Sequence, residues 1–334
     1  MKVLFVNEAG VRELLPMGMC IPLMREALAT LARGEAVQPL RSMVRLPDGS
    51  GLLGLMPGYL GAPQSFGLKV VSVMPGNHGT PYDSHQGVVM LFGIAHGEPL
   101  AILDATAITA IRTAAASGAA TDALARPDAG DLALLGAGTQ ARSHLAAMRT
   151  VRPLRRVRVW SRTRAHAEHF AREESAGAGI PIEVAGRAQD AVRNADLVCT
   201  TTAAPEPILE GAWLAPGAHV NAVGACFPSS RELDTEAVRR ARFFTDCRES
   251  CLNESGDFRL ARAEGAIDDD HLLGEMGDVF LGKVPGRVAR DDITVYESLG
   301  IAIEDLAAAH HIHRSAVSSG GGSWLEWGGP TEVA

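Results

Sequence analysis

Residues 131–163, DLALLGAGTQARSHLAAMRTVRPLRRVRVWSRT, have the pattern that indicates the fold of this chain most clearly. It contains a short apolar run, a glycine-rich turn, a segment rich in Ala and Arg, and a second apolar run that ends in Ser-Arg-Thr. This order predicts a strand, a tight turn, a helix and a second strand, the unit that begins a Rossmann-type dinucleotide-binding domain. The second strand, at residues 157–160, lies about 20 residues after the turn, where the side chain that contacts the ribose belongs.

The turn GAGTQA has the residue types that a nucleotide pyrophosphate requires. Gly136 can adopt the backbone angles of a tight turn, Gly138 leaves no side chain between the backbone and a phosphate, and Ala141 lets the helix lie close to the strand. The N–H groups at the start of the helix, at Thr139 and Gln140, favour an anion. We therefore expect the cofactor to bind at these five residues.

The end of the second strand predicts which dinucleotide binds. NAD sites usually have Asp or Glu there, as an acceptor for the ribose hydroxyls, but this chain has Ser161, Arg162 and Thr163. A guanidinium group is planar, always charged and suited to bidentate contact with phosphate. We expect Arg162 to bind a 2′-phosphate, with the two hydroxyls as further donors, and NADPH to bind better than NADH. The alternative is that Arg162 is a solvated loop residue.

Composition excludes several other classes of protein. The chain has 334 residues, 46% of them hydrophobic, which is enough for a substantial core in two domains. Its net charge of −8 argues against a nucleic-acid-binding surface. No run of 18 uncharged apolar residues and no signal-peptide h-region is present. We expect a cytoplasmic protein with small-molecule partners, and neither nucleic acid nor membrane among them.

The cysteines and clustered histidines do not suggest a metal. Five cysteines without a CxxC pair favour reduced thiols over a disulfide framework or a zinc site. His310, His311 and His313 are close in sequence, but no nearby carboxylate or cysteine completes a ligand set, and a helix C-terminus also favours such residues. We expect no metal site.

Short apolar runs alternate with helical segments in the second part of the chain. Such alternation predicts an α/β fold with a doubly wound parallel sheet. The predicted strands are residues 132–135, 157–160, 180–184, 197–200 and 219–223. We assign residues 123–304 to this dinucleotide-binding domain.

The first part of the chain differs, because its strand-like runs are separated by Pro and Gly turns, which indicates an α+β domain. These runs are residues 43–46, 67–73 and 88–94. The apolar spacing over residues 298–306 predicts an amphipathic helix that follows a glycine turn and returns the chain to this domain. We assign residues 1–122 and 305–325 to the α+β domain and expect a flexible tail over 318–334.

Three cations in this domain have apolar or small neighbours, namely Arg41, Lys69 and Arg112. Lys69 lies in a predicted strand with aliphatic residues on both sides, so its ammonium group either pairs with a carboxylate or faces a cleft. Arg112 is expected near the start of a helix of small residues, where it would reach an acidic ligand. The alternative is that the three cations form structural salt bridges with Asp83, Asp104 or Glu residues.

Several separated motifs occur in a characteristic order along residues 1 to about 315. The motifs are QPLR at 38–41, GLK at 67–69, SHQ at 84–86, DATAITAIRT at 104–113, GAGTQA at 136–141, NAVGA at 221–225, RELD at 231–234 and SLG at 298–300. In this combination the chain resembles the ornithine cyclodeaminase/mu-crystallin family. The resemblance implies a homodimer whose first domain supplies both the dimer sheet and the substrate pocket.

The resemblance also implies roles for individual residues. Arg41, Lys69 and Arg112 would bind the α-carboxylate of an amino or imino acid, and Lys69 would also protonate or polarise an imine nitrogen. Further cofactor contacts are implied at Thr201, Thr202, Val223, Gly224, Ser298 and Gly300. Thr and Gly are also common at strand ends for backbone reasons, so a purely structural role is the alternative for these residues.

Cys226 separates the reactions of this family. Cyclodeaminases have an Asp two residues beyond the first Gly that follows the fifth strand, whereas this chain has Gly224-Ala225-Cys226. A thiol with an ordinary pKa of about 8.5 does not replace an ionised carboxylate at neutral pH. Cyclodeaminase activity is therefore not expected. The resemblance to family members with a small polar residue at this position implies a ketimine reductase that converts Δ1-pyrroline-2-carboxylate to L-proline and Δ1-piperideine-2-carboxylate to L-pipecolate. Cys226 is either a proton donor in catalysis or a small residue that lines the pocket.

Three other functions stay open from the sequence. They are an ornithine cyclodeaminase that recycles NAD and releases ammonia, a dehydrogenase of alanine or N-alkyl amino acids, and a non-enzymatic NADPH-binding carrier. The first is disfavoured by Cys226 and Arg162, whereas the second shares the hydride step. The ring size of the substrate and the physiological direction of the reaction also stay open.

Overall fold

The structure is a computed structural model that describes residues 1–77 and 80–328. The chain divides into two compact units, Met1–Arg112 with Ile301–Ala334, and Thr113–Gly300. The sequence-based division placed its breaks after residues 122 and 304 instead. The first break falls earlier because a single continuous helix, Ala105–Leu124, contains the division, and no turn residue marks that point in the sequence.

Both units contain strands and helices. The strands are β1 (Lys2–Val6), β2 (Ala36–Val37), β3 (Ser42–Arg45), β4 (Leu52–Gly61), β5 (Gln64–Val73), β6 (His85–Phe92), β7 (Pro99–Asp104), β8 (Asp131–Leu135), β9 (Arg156–Trp160), β10 (Ile182–Val184), β11 (Leu197–Thr200), β12 (His219–Ala222), β13 (Ala241–Thr245), β14 (Leu272–Glu275), β15 (Ile293–Glu297) and β16 (Ser323–Glu326). The helices are α1 (Glu8–Leu14), α2 (Met17–Ala32), α3 (Ala105–Leu124), α4 (Thr139–Val151), α5 (Arg164–Ala178), α6 (Ala188–Val192), α7 (Thr235–Arg240), α8 (Arg248–Glu254), α9 (Gly256–Ala263), α10 (Met276–Phe280) and α11 (Ala302–Ser319).

The first unit has a mixed sheet in the order β16-β1-β7-β6-β5-β4-β2, in which β3 also pairs with β4. Successive side chains along a strand point to opposite faces of the sheet. On the inner face, against which α11 packs, Met56, Val89 and Leu103 are buried. On the outer face, Phe66 is 47% exposed and Leu53 is 39% exposed. α11 therefore covers the inner face of this sheet, whereas these two side chains on the outer face are exposed.

The second unit has a parallel sheet in the order β10-β9-β8-β11-β12-β15-β13-β14. Its first strand, β8, is apolar and buried along most of its length, as expected of a parallel strand that is covered on both faces. From β8 the sheet grows through β9 and β10 on one side and through β11 and β12 on the other. The point between β8 and β11 is the topological switch point at which such sheets bind ligands. The predicted fold class, a Rossmann-type doubly wound sheet with an α+β domain, is confirmed.

Two predicted segments near the C-terminus differ in the structure. The helix predicted over residues 298–306 begins at Ala302, because Gly300 adopts a left-handed φ of 73° that ends the preceding extended segment. Residues 318–328 were predicted to belong to a flexible tail, but α11 continues to Ser319 and β16 pairs antiparallel with β1. The apolar residues Trp324 and Leu325 suit a strand better than a mobile tail. The rest of the predicted tail, 329–334, lies outside the described residues.

Among the described residues, no single helix is long and apolar enough to span a membrane, and only the bent pair of α1 and α2 passes that test in combination.

Candidate functional site

Lys69 lies in the middle of β5 on the inner face of the first unit's sheet. Its register partners are Met56 on β4 and Val89 on β6, both buried. The Lys69 side chain is 3% exposed, and its Nζ lies 2.8 Å from Oδ2 of Asp305. The strand thus places an ammonium group in an apolar environment with a carboxylate as its counter-ion.

Arg112 contacts the same carboxylate from α3. Its Nε donates to Oδ1 of Asp305 at 2.9 Å, and its Nη1 donates to Oε2 of Glu304 at 2.8 Å. The sequence predicted Arg112 near the start of a helix, which is wrong, because the Asp104 side chain accepts from the Ala107 N–H and α3 begins at Ala105. Arg112 therefore lies about two turns inside the helix, and its acidic partners come from α11.

Glu304 and Asp305 are site residues that the sequence reasoning missed. Both lie in the first turn of α11 and are fully buried. The N-terminus of a helix stabilises negative charge, which favours two carboxylates in this turn. One N–H group of the same turn, that of Ile303, donates to Oε1 of Gln38 at 3.1 Å. The sequence contains one indication of these two residues, because they lie between the apolar residues Ile303 and Leu306. Charged residues are rare on an apolar helix face unless they are paired.

The burial of this cluster shifts its pKa values. Burial is the main reason that the pKa of Lys69 falls to about 8; Asp305 raises it, while Arg112 and Arg41 lower it further. Burial alone would also lower the pKa of Arg112, but the charges of Asp305 and Glu304 outweigh it and raise that pKa. Arg112 thus stays protonated, and the ammonium group of Lys69 is a stronger acid than that of an exposed lysine.

Arg41 is near the same cluster. It precedes β3, is partly exposed, and its charge acts on the pKa of Lys69. The structure thus brings together Arg41, Lys69 and Arg112, which are separate in sequence.

In the second unit, Gly136 forms the turn between β8 and α4. Its φ is +118°, and a Cβ there would lie 2.6 Å from Oγ1 and 2.8 Å from the carbonyl oxygen of Thr201. Glycine is therefore required at this position both for the backbone angle and for the close approach of the strand next to it.

Gly138 has a different reason to be glycine. It is the N-cap of α4, it provides no side-chain capping bond, and a Cβ there would have no protein atom within 4 Å. Neighbouring protein atoms therefore do not require glycine at this position. Thr139 and Gln140 begin the helix, and Ala141 is fully buried, so the helix start and its packing are as predicted.

Arg162 follows β9 and is exposed, as is Thr163, whereas Ser161 is partly exposed. Among residues 1–77 and 80–328, the Arg162 guanidinium forms no ion pair. Arg164, two residues further on, pairs with Glu168 at 2.7 Å. Within the part of the chain that the structure describes, Arg164, the first residue of α5, thus has an internal counter-ion, whereas the loop residue Arg162 has none.

Thr201 and Thr202 follow β11, and both hydroxyl groups donate within the protein. Thr201 donates to the Leu135 carbonyl at 3.3 Å, and Thr202 donates to Oε1 of Glu232 at 2.6 Å. Glu232, which belongs to the RELD motif at 231–234 but was not predicted as a site residue, is fully buried. Its Oε2 accepts from the Gly224 N–H at 2.7 Å. The hydrogen bonds to Glu232 thus give Thr202 and Gly224 a structural role, which was the alternative to a cofactor contact for these residues.

The loop after β15 is held in a similar way. Oδ2 of Asp246 accepts from the N–H groups of Leu299 at 2.8 Å and Gly300 at 2.6 Å. Ser298 is buried. The thiol of Cys226 donates to the carbonyl of Val223 at 3.3 Å and to that of Ser298 at 3.8 Å. Cys226 therefore lies between two loops for which cofactor contacts were expected.

The chain is similar to known proteins over nearly its whole length. The model of the Ornithine cyclodeaminase/mu-crystallin family matches residues 1–320. Ketimine reductase mu-crystallin of Mus musculus is 40% identical over 298 residues, which cover 88% of this chain and 91% of that protein.

Two solved structures share the fold closely. The structure of Thermococcus litoralis Δ1-pyrroline-2-carboxylate reductase in complex with NADH and L-proline has a TM-score of 0.94 and 35% identity, and the match covers 96% of this chain and 99% of that chain. An archaeal alanine dehydrogenase dimer with bound NAD has a TM-score of 0.92 and 31% identity, with 98% of this chain and 100% of that chain covered.

Proposed function

The chain belongs to the ornithine cyclodeaminase/mu-crystallin family, and we propose that it is an oxidoreductase that reduces the C=N bond of cyclic ketimine carboxylates. The proposed substrates are Δ1-pyrroline-2-carboxylate and Δ1-piperideine-2-carboxylate, which would give L-proline and L-pipecolate. The observation that carries the proposal is the buried ammonium group of Lys69, which lies 2.8 Å from Asp305, a carboxylate that Arg112 also contacts. Burial lowers the pKa of Lys69, which favours proton donation to an imine nitrogen.

The carboxylate of the substrate would bind to Arg41, Lys69 and Arg112. Arg112 uses Nε and Nη1 for Asp305 and Glu304. Among the described residues, its Nη2 makes no hydrogen bond, so this nitrogen is available as a donor. A guanidinium held on two sides by carboxylates cannot rotate freely, so it would fix the carboxylate of the substrate in one orientation.

Lys69 would be the acid in the reaction. Reduction of the imine needs a hydride at carbon, which a reduced nicotinamide supplies when bound, and a proton at nitrogen, which we assign to Lys69. Its Nζ is anchored 2.8 Å from Asp305, which keeps the ammonium group in place as it donates. The reaction consumes one proton, so an acid with a pKa near the working pH is favourable.

The residues of the second unit fit a dinucleotide. A pyrophosphate would lie at Gly138, where a Cβ has no protein neighbour, and at the N-terminus of α4, which has no side-chain cap. We propose that Arg162 binds the 2′-phosphate of NADPH, with Ser161 and Thr163 as further donors, because this exposed guanidinium has no internal ion pair among the described residues and no carboxylate occupies positions 161–163. NADH would bind more weakly.

We assign Cys226 a lining role rather than that of the acid. Its thiol already donates to the Val223 and Ser298 carbonyls. Cys226→Ala should therefore keep most of the turnover. If alanine abolishes turnover and Cys226→Ser retains it, the proton-donor role is the correct one.

We further propose that the chain forms a homodimer through the outer face of the first unit's sheet. Cross-strand pairing aligns an apolar row across this face, and none of its members is buried in the single chain. The row consists of Pro57, Leu68, Met90, Ile102 and Phe5. A contiguous apolar patch on a sheet face is typical of a protein interface.

A substrate panel tests the proposed function. Purified protein is given NADPH or NADH with the two cyclic ketimines, with pyruvate and ammonia, and with pyruvate and methylamine. We expect oxidation of NADPH with the cyclic ketimines and formation of the corresponding cyclic amino acid. Activity only with pyruvate and an amine would identify an amino acid dehydrogenase instead, in line with the similarity to alanine dehydrogenase. Ammonia release from ornithine without net cofactor consumption would identify a cyclodeaminase.

A further inference from the structure

The Glu232 carboxylate connects the loops that follow two adjacent strands. Its Oε1 accepts from both the N–H and the hydroxyl of Thr202, each at 2.6 Å, after β11. Its Oε2 accepts from the N–H of Gly224 at 2.7 Å, after β12. β11 and β12 are parallel neighbours in the middle of the sheet. One side chain therefore links the loops at the carboxyl ends of two central strands.

Glu232 is itself firmly held. Its N–H donates to Oδ1 of Asp257 at 2.8 Å, and its carbonyl accepts from the N–H groups of Ile208 at 2.8 Å and Leu209 at 3.0 Å. The side chain is fully buried. A buried carboxylate is costly unless several donors satisfy it. Here the donors come from the two loops, so Glu232 and the loops stabilise each other.

The close contact explains the glycine at position 224. A Cβ there would lie 1.9 Å from the carbonyl oxygen of Thr202 and 2.6 Å from Oε2 of Glu232. Any side chain at this position would push the two loops apart and break the bond to Glu232. Gly224 is thus required first by the carbonyl of Thr202 and second by the carboxylate of Glu232, independently of any cofactor.

We propose that Glu232 is a positioning residue for the nicotinamide cofactor, because it fixes the loops of Thr202 and Gly224 in the spacing to which the cofactor binds. This inference rests on the proposed function, together with the cofactor contacts that the family resemblance implies for Thr202 and Gly224. Ligands of doubly wound sheets bind at the carboxyl ends of the strands, which is where these loops lie. Glu232 has its effect through the loops, since both of its oxygens face them.

Glu232→Gln tests the inference with little change in shape. The amide keeps one acceptor oxygen for Thr202, but its NH2 group faces the N–H of Gly224, so that bond is lost. We expect the Kd for NADPH, measured by quenching of tryptophan fluorescence without imine, to rise at least about tenfold. The KM for the imine, at saturating NADPH, should change less than about twofold.

Glu275→Gln is the matched control. Oε1 of Glu275 also accepts from a backbone N–H, that of Arg248 at 2.7 Å, but Glu275 ends β14 at the edge of the same sheet. This variant should leave the Kd for NADPH unchanged even if its Tm falls. An equal rise of the Kd in both variants would overturn the role of Glu232, because it would show a general effect of lost stability.

Hydrogen exchange in the wild type provides a test if Glu232→Gln does not fold. NADPH should slow amide exchange at Thr202 and Gly224, and unchanged exchange in a cofactor-bound protein would overturn the inference. A wild-type protein that binds neither NADPH nor NADH would overturn the proposed function, and this inference with it. Normal NADPH binding by folded Glu232→Gln would overturn the inference alone.

Discussion

The ammonium group of Lys69 lies 2.8 Å from the carboxylate of Asp305, and both side chains are buried. The same carboxylate accepts from Arg112 through its other oxygen. Asp305 thus fixes two cations at once, and the chemistry proposed for Lys69 depends on this arrangement.

Removing the Lys69 amine should slow imine reduction. We expect Lys69→Ala to lower kcat/KM by at least about tenfold, a loss of ~1.4 kcal/mol in transition-state stabilisation. Steady-state kinetics with Δ1-pyrroline-2-carboxylate measures the effect. Activity within about twofold of the wild type would exclude Lys69 as the acid.

The pH dependence should report the same group. Burial lowers the pKa of Lys69 to about 8, and the acid must be protonated to donate. Activity is therefore expected to be constant below this pH and to fall about tenfold per pH unit above it. In Lys69→Arg the side chain does not titrate in this range, so the residual activity should lose the alkaline decline. The same decline in the arginine variant would assign it to another group.

Asp305→Asn should destabilise the protein. Loss of the carboxylate leaves two buried cations with less compensation, which typically costs about 3–5 kcal/mol. Urea unfolding at neutral pH measures the change in the free energy of unfolding. Asp190→Asn is the control, because Asp190 pairs with Arg187 and Arg193 at the surface, where such pairs contribute about 0–1 kcal/mol. A similar loss of unfolding free energy in the two variants would contradict the importance of the buried cluster for stability.

Arg162→Ala should weaken NADPH binding and leave NADH binding nearly unchanged. The guanidinium is expected to contact only the 2′-phosphate, and a charge-assisted bond of this kind contributes roughly 1.5–3 kcal/mol, or about ten- to a hundredfold in Kd. Titration calorimetry measures the Kd of each cofactor and therefore the ratio of the two Kd values. Arg164→Ala serves as the control because Arg164 is already paired with Glu168. An unchanged NADPH preference in Arg162→Ala would refute the assignment.

Phe66→Glu should convert the expected dimer to a monomer. Phe66 is 47% exposed on the outer face of the sheet, and its ring is tilted against that of Phe92 with the ring centroids 6.3 Å apart. A charge there would be unpaired at an apolar interface. Sedimentation equilibrium distinguishes the two states. Val317→Glu, at a position on α11 that is 55% exposed, should stay dimeric, and a dimeric Phe66→Glu would place the interface elsewhere.

The sequence predicted those features of the fold that depend on local pattern. Gly136 was recognised because a tight turn between an apolar strand and a helix needs its backbone freedom, and the structure shows that need directly. The acidic partners of Lys69 and Arg112 were missed because Glu304 and Asp305 lie in a distant helix, and pattern along the chain does not report such contacts. Glu232 was not singled out for the same reason, since its partners lie on two other loops.

The proposed function requires that hydride is delivered to the C=N carbon of a cyclic imino acid, and isotope transfer measures this step. Δ1-pyrroline-2-carboxylate is incubated with the protein and NADPH that carries deuterium at the transferable C4 position, and the product is examined by mass spectrometry and NMR. The proposed function predicts L-proline with one deuterium at the α-carbon. Failure to form proline, or proline without deuterium at that carbon, would contradict it.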